Sequence, residues 1–101
     1  MEQETQRTAQ HIKAVETPGG VPLSTVEQVE PANGTDFSLE ELQGFVGGLI
    51  DIVTLPDGFI MVVNDEYLMN GDPYNPLASA MVGEGGHVRG DVLVCPSEMV
   101  K

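Results

Sequence analysis

The sequence predicts an α+β fold: a mostly antiparallel sheet of about five strands with two helices on one face, in the order β-β-α-β-β-α-β. Three observations carry that prediction. Extended apolar or alternating runs occur in pairs joined by Pro/Gly turns, which is the spacing of hairpins. Two segments open on helix-capping residues, Ser38 and Asn75. Hairpins followed by helices argue for an antiparallel sheet rather than for repeated βαβ units.

Residues 1–10 are polar and lack a hydrophobic period, so they are expected to form a flexible N-terminal segment, with 11–101 a single compact domain. His11-Ile12-Lys13-Ala14-Val15-Glu16 alternates polar with apolar and predicts a strand. Pro18-Gly19-Gly20 is a turn, and Val21 to Val29 holds the returning strand, strongest from Ser24. Pro31 to Asp36 is a loop.

Ser38-Leu39-Glu40-Glu41 opens the first helix with the spacing of a capping box, and Phe37 with Leu42 has that of a hydrophobic staple. Leu39, Leu42, Phe45 and Val46 fall on one helical face. Gly47-Gly48 stops the helix. Leu49 to Thr54, a turn at Pro56-Asp57-Gly58 and Phe59 to Asn64 form the second hairpin. Its return strand is apolar throughout, which predicts a central strand covered on both faces. Asp65 to Asn75 is polar. Asn75-Pro76 reads as cap and first residue of a short helix ending near Val82. The last strand opens at Val88, strengthens through Asp91 to Cys95, and ends at Pro96.

Aromatic residues are few (Phe37, Phe45, Phe59, Tyr67, Tyr74), so the core is aliphatic. The single cysteine, Cys95, follows Val92-Leu93-Val94 and reads as a small hydrophobe. With no disulfide, no apolar leader and no apolar run of membrane-spanning length, the sequence points to the cytoplasm.

Charge is the most informative property. Between Lys13 and Arg89 there is no lysine or arginine, while twelve carboxylates occur: Glu16, Glu27, Glu30, Asp36, Glu40, Glu41, Asp51, Asp57, Asp65, Glu66, Asp72 and Glu84. The whole chain carries a formal charge of -12. Such a body repels nucleic acid and anionic membranes and attracts basic protein surfaces.

Motifs for chemistry are weak. Asn64-Asp65-Glu66 sits at a strand end and fits a turn, with Asn64 and Asp65 bonding local amides. The spacing of a calcium loop fails. His11, His87 and Cys95 lack zinc spacing, and nothing near Cys95 predicts a thiolate. The glycine sets at Gly47-Gly48 and Gly83 to Gly86 are not followed by the Lys-Ser/Thr of a phosphate loop. The expectation is no enzyme, no metal and no cofactor.

From Ser38 onward the chain resembles a family of small uncharacterised domains encoded by phages and mobile elements. The residues that carry the resemblance are Leu42-Gln43, Val46-Gly47-Gly48, Ile50-Asp51, Val62-Val63-Asn64-Asp65-Glu66, Asn75-Pro76 with Ala78, and Gly90-Asp91-Val92-Leu93-Val94. The chain departs from that pattern at Tyr67, where a Gly is usual, and in a longer link to Asn75. The resemblance implies a phage or mobile-element origin and no established activity.

The functional expectation is a non-enzymatic inhibitor that binds a host defence nuclease, of anti-CRISPR or anti-restriction type, by occupying its nucleic-acid-binding surface as a DNA mimic. An RNA-guided nuclease that reads its motif through arginines is one such target. The candidate partner-binding residues are Glu40, Glu41, Asp57, Asp65, Glu66 and Asp72, with Tyr67 and Tyr74 as aromatic anchors. The alternative is a protein that sequesters a nucleotide signal, using backbone amides at the helix starts.

Overall fold

The computed structural model describes residues 8–66, 71–83 and 85–100. Five strands form one sheet: β1 (Ala9–Glu16), β2 (Pro22–Val29), β3 (Ile50–Thr54), β4 (Phe59–Asn64) and β5 (Val92–Pro96). Their order across the sheet is β2-β1-β5-β4-β3, and every neighbouring pair is antiparallel. Two helices, α1 (Leu39–Val46) and α2 (Pro76–Val82), complete the α+β fold in the expected chain order. The two hairpins flank β5, the last strand in sequence, which joins them at the centre. All five of its residues are buried.

α1 begins as its sequence dictates. The Ser38 hydroxyl accepts from the Glu41 amide at 3.1 Å, and a Glu41 carboxylate oxygen accepts from the Ser38 amide at 2.7 Å. Gly47 closes the helix in the left-handed region, φ 82°, which glycine adopts without steric cost. Leu42 and Val46 are buried, but Leu39 is 57 % exposed and does not share the core face as its spacing suggested. It lies in the first turn, ahead of the part of the helix that meets the sheet.

The apolar residues of β4 and β5 divide by parity. Ile60, Val62, Leu93 and Cys95 pack with Phe37, Leu42 and Val46 under α1. Met61, Val63, Val92 and Val94 pack with Ile12, Val88 and Ala78 of α2. Neighbouring residues of a strand point to opposite faces, so the helices lie on opposite faces of the sheet. This corrects the expectation that both share one face. The reason is the unbroken apolar run of β4 and β5, which leaves two faces to be covered rather than one.

Smaller differences have local causes. β1 starts at Ala9, two residues before His11, because Ala9 pairs with Val29 and is buried in the α1-side core. β5 starts at Val92 rather than Val88. Gly90 has φ 85°, which breaks the extended path, and Arg89 instead makes an isolated bridge to Tyr74. The second hairpin forms as expected, with Leu55 donating to the Phe59 carbonyl at 2.9 Å across Pro56-Asp57-Gly58. Asp57 adopts φ 65° there, a conformation Asp tolerates better than most side chains.

These elements define two ends of the sheet. The start of α1 lies near the end of β5, since the Phe37 amide donates to the Met99 carbonyl. The end of α1 lies near the end of β4, since Asn64 Nδ2 donates to the Val46 carbonyl at 3.1 Å. No helix among the described residues is long and apolar enough to cross a membrane.

Candidate acidic binding site

The fold divides the expected site residues between the two ends. Asp57 precedes β4 and is exposed, and Glu40 and Glu41 at the start of α1 belong to that same end. Asp65 and Glu66 follow β4 at the other end and are exposed. Six strand residues separate the two groups, roughly 20 Å at about 3.3 Å per residue. Tyr67 lies outside the described residues. Tyr74 is half-buried, pairs its backbone with Arg89, and has its ring 5.2 Å from that of His87.

Glu41 has a local task. One oxygen takes the Ser38 amide and the other takes the Ala32 amide at 2.9 Å, so the carboxylate ties the preceding loop to the helix start. These backbone hydrogen bonds, Ser38's first and Ala32's second, hold its carboxyl below the usual value. Asn64 likewise serves a turn: its Oδ1 accepts from the Glu66 amide at 2.8 Å.

The end bearing Asp65 and Glu66 carries two further carboxylates, Asp72 and Asp91. A cleft of about 470 Å³ is lined by the last turn of α1 (Gly44 to Gly47), by Asn64, and by Asp72, Pro73, Gly90 and Asp91. Asp91 Oδ1 accepts from the Ala14 amide at 3.0 Å, which fixes its carboxylate against β1. Asp72 packs on Gly90: a Cβ at position 90 would come within 2.9 Å of Asp72 Oδ2. Gly90 therefore does two things here, supplying the positive φ and the room for Asp72. The backbone of Asp72 is held from its other side, where Arg89 Nε donates to its carbonyl at 2.8 Å.

The charged side chains that line the cleft are both carboxylates, with Arg89 bonded to the Asp72 backbone beside it. The last carbonyls of α1 are already taken: Gln43's by the Gly47 and Gly48 amides, Phe45's by the His11 ring and Val46's by Asn64. Neither lysine nor arginine lines it. It suits the cationic end of an arginine or lysine. Among the described residues no group of three or more His, Cys, Asp or Glu is arranged to hold a metal ion. Of its two carboxylates, the sequence singled out Asp72. Asp91 was missed because it reads as the polar first residue of a strand, although Gly90-Asp91 is part of the motif that carries the family resemblance.

A second cleft, of about 400 Å³, is mostly apolar and is lined by Leu55, Pro56, Phe59, Met81 and Val94 with Thr8, Gln10 and Asp57. Its one charged residue is Asp57, the wrong sign for a phosphate. Cys95 is fully buried against the α1-side core, and burial, with the Glu98 charge adding to it, pushes its thiol up to about 11.

Residues 17–99 match the family described as Domain of unknown function (DUF3846). No curated protein and no solved structure matches the chain.

Proposed function

The chain belongs to the Domain of unknown function (DUF3846) family, and on that premise we propose that it is a non-enzymatic binding protein for a basic, nucleic-acid-binding surface of another protein. The observation that carries the reading is the Asp72–Asp91 cleft, set in a body with no lysine or arginine between Lys13 and Arg89. An arginine of the partner enters the cleft, and the exposed carboxylates Asp65 and Glu66 beside it supply the surrounding field. Asp57 and Glu40 extend that field to the opposite end of the sheet. Duplex DNA carries one charge per about 1.7 Å. The chain has twelve carboxylates between its inner basic residues, spread over a body 44 Å in its longest extent. The shared sign, at a lower density than DNA's, supports a partial DNA mimic.

In this reading the protein is of phage or mobile-element origin, acts in the host cytoplasm, and blocks a defence nuclease of RNA-guided or restriction type. The nucleotide-binding alternative is less well supported: the two clefts above offer no cation for phosphate, and a smaller one of about 250 Å³ that holds Arg89 beside Tyr74 also holds Glu16, of the opposite sign.

The test is capture of the partner from host lysate, followed by competition. Duplex DNA should displace this protein from the captured partner, and Asp72→Asn with Asp91→Asn should weaken capture. A partner that holds DNA and this protein at the same time would overturn the mimic.

A further inference from the structure

We propose that the free edge of β2 binds an extended basic segment of the partner by adding it to the sheet as a sixth strand. The inference rests on the reading above that the partner is basic. The two edges of this sheet differ in a way that singles out β2.

Register fixes which backbone groups face outward. Thr17 donates to the Val21 carbonyl, and positions 17 and 21 lie on the β1–β2 register that pairs Val15 with Leu23. Hydrogen-bonded pairs alternate along an antiparallel ladder. The odd positions of β2 therefore bond to β1, and Ser24, Val26 and Gln28 turn their N–H and C=O groups outward. The same argument for β3 starts from Leu55 and Phe59 and turns the groups of Ile50, Ile52 and Thr54 outward.

The β3 edge is shorter and has its central outward amide taken. Asp51 Oδ1 takes the Ile52 amide at 2.9 Å, in the centre of a five-residue strand. A local acceptor on an outward amide is one way to prevent strand addition. The β2 edge is longer, eight residues, and no described residue takes the outward amides of Ser24, Val26 or Gln28. Its proline, Pro22, stands at the first position, and α2 meets the strand at Ser24, whose hydroxyl accepts from the Leu77 amide at 3.0 Å, so the open part of the edge is Thr25 to Val29.

The side chains beside this edge choose the occupant. Leu23 and Val26 are each 49 % exposed, one on either face of the sheet, and offer apolar contacts to alternate residues of an added strand. Glu27 is exposed on the strand, with Glu16 and Glu30 at its two ends. Two cations lie near it, Lys13 opposite Thr25 and Arg89 in a cleft with Glu16 and Pro22, so the acidic stretch is the part at Glu27 and Glu30. A second copy of a chain with formal charge -12 would meet repulsion here, whereas a segment alternating apolar and basic residues meets both complements.

The probe is a synthetic peptide of alternating lysine and valine, with an alternating threonine and valine peptide as its neutral counterpart. Binding is read by calorimetry, and backbone protection by amide hydrogen exchange. The blocking variant is Val26→Pro, which removes one outward amide and leaves the β1–β2 ladder intact, because proline is tolerated where an edge amide faces solvent. The wild-type protein should bind the lysine peptide with new protection at Val26 and Gln28. Val26→Pro should lose at least tenfold in affinity while its melting curve stays close to wild type. Equal binding by Val26→Pro, with protection around Asp72 and Asp91 instead, would overturn the edge and leave the acidic-cleft reading standing. Equal binding of the neutral peptide at the edge would overturn the basic occupant. A concentration-dependent dimer that Val26→Pro abolishes would assign the edge to a second copy and overturn the proposal. Failure of the lysine peptide to bind the wild-type protein would overturn it directly.

Discussion

The side chain of Asn75 donates to the carbonyl of Ile12 at 3.1 Å, joining residues 63 positions apart. The same amide donates to the Gly90 carbonyl at 2.8 Å, and its Oδ1 accepts from the Ala78 amide at 3.2 Å and from the Ser24 hydroxyl at 2.6 Å. Asn75 is fully buried. One side chain thus caps α2 and ties it to β1, to β2 and to the segment entering β5. Its replacement by Ala should destabilise the protein by roughly 3 kcal/mol. Loss of a cap costs about 1 kcal/mol and a buried carbonyl left unpaired costs about 1–3 kcal/mol. Asn75→Asp should be at least as damaging, because it keeps the cap but turns a carboxylate oxygen towards two carbonyls. Denaturant melts of both variants check this. A shift in either below about 1 kcal/mol would contradict the network.

Ser38 and Glu41 form a second prediction. Ser38→Ala should cost about 1 kcal/mol through the lost cap. The depressed carboxyl of Glu41 adds a pH dependence. A group whose folded value lies below its unfolded value stabilises the fold above the unfolded value, near 4.5, and loses that contribution as pH falls through the folded one. The wild-type protein should therefore lose this part of its stability on acidification below about pH 4.5. Glu41→Gln should be less stable than wild type at pH 7, and the difference should shrink as pH falls through that window. Melts across the acid range read it. A constant difference would mean that the charge of Glu41 contributes nothing.

Much of this fold was legible because its signals are local. Ser38 with Glu41, Asn75 with Pro76, and Pro56-Asp57-Gly58 each sit within four residues, and each formed where the sequence placed it. The opposite-face arrangement of the helices depends on long-range pairing. β5 joins β1 to β4 across the whole chain, and only that junction gives its alternate residues two cores to serve. The apolar run of β4 implies two covered faces, and two helices suffice to cover one each. The acidic site was legible in sign but not in place. Composition marks Asp57 and Asp65 alike, and the strand between them sets them at opposite ends, where the folded sheet adds Glu40 and Glu41 to one and Asp72 and Asp91 to the other. Asp91 shares a cleft with Asp72 because its neighbour Gly90 packs on Asp72, a contact between positions distant in the sequence.

Cys95 should be inert at neutral pH. Its thiol is buried and pushed up to about 11, so the reactive thiolate is scarce in the folded state. Alkylation by iodoacetamide at pH 8 should be much slower in the native protein than in urea. The raised value also has a stability consequence. A proton held more tightly in the folded state supports the fold below the unfolded value, about 8.5, and that support is lost as pH rises towards 11. Stability should be level with respect to this group below about pH 8.5 and then decline. Cys95→Ala should remove that part of the decline. Rapid native-state alkylation at pH 8 would place the thiol at the surface.

The final prediction concerns the kinetics of the partner complex. Asp65 and Glu66 are exposed, whereas Asp72 and Asp91 line a cleft and are only partly accessible. Exposed charges act at a distance and are screened over about 10 Å at 0.1 M salt. Neutralising Asp65 and Glu66 should therefore slow association and flatten its salt dependence, with little change in dissociation. A carboxylate closed against a partner arginine acts only at contact. Asp91→Asn should instead speed dissociation, with a loss of roughly 2–5 kcal/mol if the pair is fully desolvated. Asp72→Asn should behave in the same way, and its double variant with Asp91 should fall short of the summed losses, because both carboxylates serve one cation. The Asp65 and Glu66 variants should fold at least as well as wild type, since like charges are being removed from a chain of formal charge -12, while Asp91→Asn keeps an oxygen for the Ala14 amide and should fold with a small loss. Surface plasmon resonance at two salt concentrations separates the two classes. If Asp91→Asn changed only the association rate, the cleft would be part of the general acidic field and not the seat of an arginine.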